Sequence, residues 1–401
     1  MAEGSKERVR RAMFSGFDDE HPLPDRVPTF CQLAVGHYFL HSGVKPFDIW
    51  FTSEGFAEAL ISLQRRYNFD GILVNMPGRE PDIEQRIVRI QPGTGEDVIH
   101  WKNGGYTRLP HDDNAHYYLA DGRRFFPTFE EVDPDSLYYV EPWDVTDITY
   151  PYTWGFDSEP RPFESFFPDY HFDGLKLVIE RAGEDASVHS EVFSPWSQVL
   201  ELLNYEVALL AILDDASKLH ACLERLTVGA IDLAKRQAAC GSDAVLVSSA
   251  FAGAGLISKP HYEEFVLPYE RKLIHEFKKA YPETPMYTHT CGAIADRLDL
   301  MLDTGTQGID TLDPPPLGTV ELDEAKEILE GRAFIKGNID PVNTLLFGDA
   351  KRTRDEATRR IRIGKAGGGY ILSSACSVAP AAPPANIAVL SEVAEAEGRY
   401  P

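Results

Sequence analysis

A chain of 401 residues can bury a large core without disulfide staples, and 63 acidic against 39 basic side chains leave it with a net charge of −24. That field repels phosphate backbones and anionic membrane surfaces, which argues against nucleic-acid binding and membrane association. The five cysteines are scattered and odd in number, so they do not form a disulfide framework. The charged stretch Met1–Glu20 has no apolar signal segment, and no run approaches the ~20 apolar residues of a membrane span, so a cytoplasmic protein is expected.

In chain order, short apolar runs predict strands at Val27–Gln32, Gly71–Asn75, Ser187–Val192, Ala244–Ser248, Pro285–His289, Gly308–Thr311, Ala333–Lys336 and Gly369–Ser373. Amphipathic stretches between them predict helices at Ser197–Leu213, Ala216–Ala239 and His261–Ala280, with a last helix after Pro383-Pro384. Strands alternating with helices imply a parallel sheet, and eight such strands close a TIM (β/α)8 barrel, here a single α/β domain over residues 1–401. Gly367-Gly368-Gly369 precedes a strand and reads as a helix stop, not a phosphate loop.

Residues 77–172 interrupt this pattern and read as an insert after the second strand. Its first half alternates with period two (Arg86-Ile87-Val88-Arg89-Ile90) between turn signals at Asn103-Gly104-Gly105 and Asp121-Gly122, which predicts a β-hairpin. Its second half is dense in rings: Tyr138, Tyr139, Trp143, Tyr150, Tyr152, Trp154, Phe156, Phe163, Phe166, Phe167 and Tyr170. These either anchor a long loop to the barrel or wall an aromatic substrate pocket.

A barrel enzyme draws its site from the C-terminal ends of its strands. Those ends deliver Asn75, Glu191, Ser248, Asp310, Asn338 and, on two strands, His289-x-Cys291 and Cys376. The spacing of two puts His289 and Cys291 on one face of an extended segment. With Cys376 they make three corners of a tetrahedron, the pattern of a catalytic zinc with one open position; an apolar strand ending in a packed cysteine is the plainer alternative. Glu191 is a fourth ligand, a carboxylate orienting His289, or an acid at the start of a helix. Asn75, His189, Trp196, Ser248, Asp310 and Asn338 are expected to contact substrate, although His189 also fits a satisfied core histidine. Cys31, Cys222 and Cys240 receive no role.

Lys6–Val9 with Asp25–Pro28, Ser258–Tyr269, Gly337–Pro341 and Gly368–Ile387 together resemble the uroporphyrinogen decarboxylase-like superfamily along most of the chain outside the aromatic insert. The decarboxylase branch has an R-Q-A-G-R segment and an Asp after the second strand; here Cys31–His37 and Asn75-Met76-Pro77 stand in their place. The corrinoid methyltransferase branch carries H-x-C and a later Cys as zinc ligands, which His289, Cys291 and Cys376 match. The resemblance therefore implies a zinc-dependent enzyme that moves a methyl group from a methoxylated aromatic to the Co(I) of a corrinoid (cobalamin) carried by a partner protein. That partner would dock at the C-terminal rim, and the resemblance also implies a homodimer. Alternatives are transfer from a methylcorrinoid protein to a thiol such as coenzyme M, a decarboxylase, and a non-catalytic corrinoid- or protein-binding barrel.

Overall fold

The structure is a computed structural model that describes residues 3–15, 17, 21–124, 126–141, 162–329 and 331–401. Among the described residues eleven strands follow in chain order: β1 (Gly71–Val74), β2 (Ile87–Gln91), β3 (Glu96–Trp101), β4 (Tyr106–Pro110), β5 (His116–Tyr118), β6 (Ser187–Phe193), β7 (Ala244–Ser248), β8 (Met286–Thr290), β9 (Gly308–Thr311), β10 (Phe334–Ile339) and β11 (Tyr370–Ser374). Seven of them form one parallel sheet in the order β1-β6-β7-β8-β9-β10-β11, and β2 to β5 form a separate antiparallel sheet.

The predicted strand at Val27–Gln32 is not a member of either sheet. It is an extended segment touching the barrel through isolated bridges at Thr29–Leu372 and Leu33–Val378. Phe30 N–H donates to Leu372 O (3.0 Å), Leu372 N–H to Pro28 O (2.9 Å) and Asp70 N–H to Thr29 O (2.7 Å), so the segment spans the seam between β11 and β1. Pro28 has no N–H to give, and one of Thr29's partners is the Asp70 side chain, so a continuous ladder cannot form. The result is a TIM-like barrel of seven strands and one bridging segment.

Period-two alternation sorts the strand residues. Val245, Val247, Ile309 and Ile335 face the outer helices, whereas Leu73, Leu246, Tyr287, Phe334 and Ile371 form a separate inner cluster with Phe30. Val9, Ala12 and Met13 of the helix Ser5–Phe14 complete that cluster and close the N-terminal mouth. Below it Asp70, 1% exposed, is held by Arg8 Nη1 (2.6 Å), Arg26 Nη1 (2.8 Å) and Thr29 N–H (2.8 Å).

Two predicted helices are broken. Ser197–Leu213 becomes Pro195–Leu203 and Tyr205–Asp214, bent by 112° at Asn204, whose φ is 64° and whose side chain caps the second helix at Val207 N–H. His261–Ala280 splits into Lys259–Phe265 and Leu267–Ala280, where Pro268 starts the second piece. Ala216–Ala239 is one helix, as expected. All three glycines of Gly367–Gly369 have positive φ, which ends the helix Ala350–Gly364 before β11. Among the described residues no single helix is long and apolar enough to cross a membrane.

The segment expected to be a hairpin makes four strands, because alternation continues through Ile99 and Trp101 and through Thr107 and Leu109. Trp101 packs edge-on to Phe51, with ring centroids 5.4 Å apart. Of the ring-rich half, Tyr138, Tyr139, Phe166 and Phe167 are buried, with Tyr138 stacked on Phe163 and the others packed tilted or edge-on. At Gly229 of the helix Ala216–Ala239 an added Cβ would lie 1.8 Å from Tyr138 O, so backbone meets backbone there. These rings anchor the segment to the barrel. Trp143, Tyr150, Tyr152, Trp154 and Phe156 lie outside the described residues.

Candidate metal centre

β8 ends in Thr288-His289-Thr290, and the chain turns away at Gly292, whose φ of 78° suits only glycine without strain. His289 therefore points into the upper barrel and Cys291 follows on the same face. Cys376 arrives two residues beyond β11. His289 Nε2 lies 3.2 Å from Cys291 Sγ, and Cys291 Sγ 3.6 Å from Cys376 Sγ. The ligand atoms of all three fall within 4.8 Å of one another.

Tetrahedral zinc, with Zn–S about 2.3 Å and Zn–N about 2.0–2.1 Å, holds two sulfurs about 3.8 Å apart and a nitrogen and sulfur about 3.6 Å apart. The observed 3.2 and 3.6 Å fall a few tenths of an ångström short of those values, so the N1S2 donor set fits a zinc ion after a small outward shift.

The neighbours fix the histidine's role. Asp310 Oδ2 lies 3.0 Å from His289 Nδ1 and Thr311 Oγ1 2.8 Å from it, so Nδ1 is engaged on the side away from the sulfurs and Nε2 faces them. Burial works against a charged ring, yet Asp310 and Cys376 raise the His289 pKa to about 10. Hydrogen bonding between the two sulfurs pushes Cys376 well below the ordinary thiol range and Cys291 well above it. A proton shared by such a pair is one a dication displaces.

The loop after β7 supports the centre from outside. Gly253 packs so closely that an added Cβ would lie 2.3 Å from Cys291 O. Ser249 N–H donates to His289 O (2.8 Å) and Ala254 N–H to Ala293 O (2.8 Å). The fully buried Arg297 holds the same loop through Ala252 O (2.7 Å) and Ile257 O (3.2 Å).

A match to the family model described as uroporphyrinogen decarboxylase (URO-D) covers residues 158–396, more than half of the sequence. The chain belongs to the URO-D family. Curated URO-D relatives include the uroporphyrinogen decarboxylases of Microcystis aeruginosa, 28% identical over 55% of this chain and 62% of theirs, and of Prochlorococcus marinus, 30% identical over 54% and 61%. The match thus spans about six tenths of those relatives' length. Within the same fold, a methyltransferase from Methanosarcina mazei superposes with a TM-score of 0.67 over 98% of both chains, at 17% identity.

Other residues singled out from the sequence fall in different places. The carboxylate that orients His289 is Asp310, not Glu191. Glu191 stands outside the three-residue group but within electrostatic reach of His289, and burial raises its pKa to about 7. Asp310 was expected to touch substrate; both its oxygens are instead taken, by His289 and by Lys336 Nζ (2.9 Å). His189 is a core residue: its nitrogens meet Ser187 Oγ (3.1 Å) and Tyr287 OH (2.8 Å), and burial lowers its pKa to about 3. It lies two residues below Glu191 on β6, hence one layer deeper. Trp196 is 1% exposed and donates to Phe251 O (3.3 Å), so it braces the loop after β7. Asn338 is buried and donates to Leu312 O (2.9 Å), while Asn75 and Ser248 are buried at the ends of β1 and β7. Lys336 and Thr311 belong to the site and carry no local sequence signal, because their partners lie 26 and 22 residues away.

Proposed function

We propose that this protein is a zinc-dependent methyltransferase that moves a methyl group from a methoxylated aromatic to the Co(I) of a corrinoid held by a partner protein. The observation that carries the reading is the convergence of His289 Nε2, Cys291 Sγ and Cys376 Sγ at the C-terminal rim. Zinc bound there supplies a Lewis acid for the oxygen from which the methyl group departs. His289 presents Nε2 because Asp310 engages Nδ1, and Cys291 is placed by the loop packed against Gly253. Glu191 is the proposed fourth ligand in the absence of substrate. The methyl acceptor would approach over the same rim, since the opposite mouth is closed by the helix Ser5–Phe14.

A second reading, decarboxylation of a tetrapyrrole or small acid, is favoured by the names of the curated relatives. It needs no metal. Metal analysis of wild type beside Cys291→Ser and Cys376→Ser separates the two: about one zinc per chain, lost in folded variants, supports the methyltransferase. Incubation with a methoxyphenol and a Co(I) corrinoid protein is then expected to yield free phenol. Methylated thiol formed from a methylcorrinoid would redirect the reading to thiol methylation, and metal-independent release of CO2 from uroporphyrinogen to decarboxylation.

A further inference from the structure

The upper barrel contains a buried lysine that the proposed chemistry does not use. Lys336, 1% exposed in the middle of β10, faces inward between Phe334 below and Asn338 above. Its Nζ donates to Asp310 Oδ1 at 2.9 Å and sits over the Phe30 ring, 4.9 Å from its centroid. Asp310, also 1% exposed, spends its other oxygen on His289 Nδ1. The three side chains form a line through the barrel from β10 to β9 to β8. Placing an ammonium in an apolar interior is costly unless it is paired, and here its partner is the carboxylate that also holds His289.

We infer that Lys336 is a positioning residue for the metal centre, acting on His289 only through Asp310. A carboxylate held at one oxygen can rotate about its last bond; held at both, by Lys336 on Oδ1 and His289 on Oδ2, its plane is fixed. The plane of the carboxylate fixes the direction from which Nδ1–H is accepted, and this sets where Nε2 points relative to the sulfurs. Thr311 Oγ1, 2.8 Å from Nδ1, is a competing partner, so with the carboxylate loose the ring has another place to turn. Lys336 Nζ is bonded to Asp310 and not to His289, Cys291 or Cys376, so it is not a catalytic residue.

The inference rests on the metal-centre reading, and its test is a double-mutant cycle on zinc affinity, measured by competition with a chelator in the full-length chain. Lys336→Met and Asp310→Asn should each weaken zinc about 10–100-fold. Because the two act in series, the double variant should be no weaker than Asp310→Asn alone. In the Co(II)-substituted protein the hyperfine-shifted N–H proton of His289 should exchange slowly with solvent in wild type, rapidly in Lys336→Met and at an intermediate rate in Lys336→Gln, a difference between two similarly sized side chains that packing alone does not produce. Lys336→Gln, which keeps a donor but not the charge, serves if the methionine variant does not fold, and should fall between. Wild-type affinity and slow N–H exchange in a folded Lys336 variant, or effects that multiply in the double variant, overturn the inference while leaving the metal centre standing. Absence of zinc from wild type overturns both.

Discussion

The two ends of the barrel bury charge in opposite ways. At the N-terminal mouth Asp70 is surrounded by Arg8, Arg26 and a backbone N–H, under a plug of Val9, Ala12, Met13 and the apolar layer of Phe30, Leu73 and Phe334. Near the C-terminal rim burial raises Glu191, within the field of His289 and beside Ser248, and Glu270, on the helix Leu267–Ala280 beside Ser249 and Tyr262, each to about 7. Asp310, with Lys336 beside it, is instead pushed down, to about 2, against the opposing effect of burial. The lower half is arranged to be finished and inert, the upper half to leave polar atoms with something still to bind. A two-residue step along one strand, from Tyr287 to His289, separates the regimes by about 7 Å.

The sharpest way to break this contrast is at the lower half. Asp70→Ala leaves two arginines without their buried partner and is expected to cost about 3–5 kcal/mol of unfolding free energy in urea. The zinc content of whatever remains folded should not change; a variant that folds normally but loses metal would show that the halves are not separate.

A smaller effect is expected from pH at the rim. Burial raises the Glu270 carboxyl, which sits beside Tyr262 OH (3.4 Å), from 4.5 to about 7, outweighing the hydroxyls that oppose it. The folded state therefore holds a proton that the unfolded chain has already released, so stability is highest below about pH 4.5 and falls as pH rises to about 7. The fall is on the order of 3 kcal/mol. Glu270→Gln should flatten it, seen as converging wild-type and variant stabilities in acid and a more stable variant at pH 8. Equal pH dependence in both would mean that the upper half compensates its carboxylates after all.

The smallest change tests the boundary. Tyr287→Phe removes the hydroxyl at His189 Nδ1, with the other ring nitrogen still on Ser187, and should cost about 1–2 kcal/mol by thermal or urea unfolding. A loss several times larger would place the boundary higher, with His189 coupled to the rim.

The parts of this architecture visible in the sequence are those written in local periodicity. Runs such as Ala244–Ser248 and Gly308–Thr311 announce strands because both faces are buried, and His289-x-Cys291 announces a pair because the strand period is two. Val27–Gln32 looks equally apolar, but its partners are a proline-interrupted bridge and the Asp70 side chain, which composition does not reveal. The breaks at Asn204 and before Pro268 did have local signals, a cap residue and a proline inside an amphipathic run. The line from Lys336 through Asp310 to His289 had none, since it joins three strands whose order in space is set by closure of the sheet.

That closure has a consequence for how the chain reaches its native state. Ser374 N–H meets Cys31 Sγ across 343 residues, and Thr29 bridges Leu372 in the same seam. A ribosome makes the Thr29 segment early and its partner strand last, so nearly the whole sheet must be synthesised before the seam can form. Until then β1 and the growing edge offer unpaired backbone to any passing strand. Sealing is thus a late event, and the nascent barrel is most vulnerable to self-association in the interval before it.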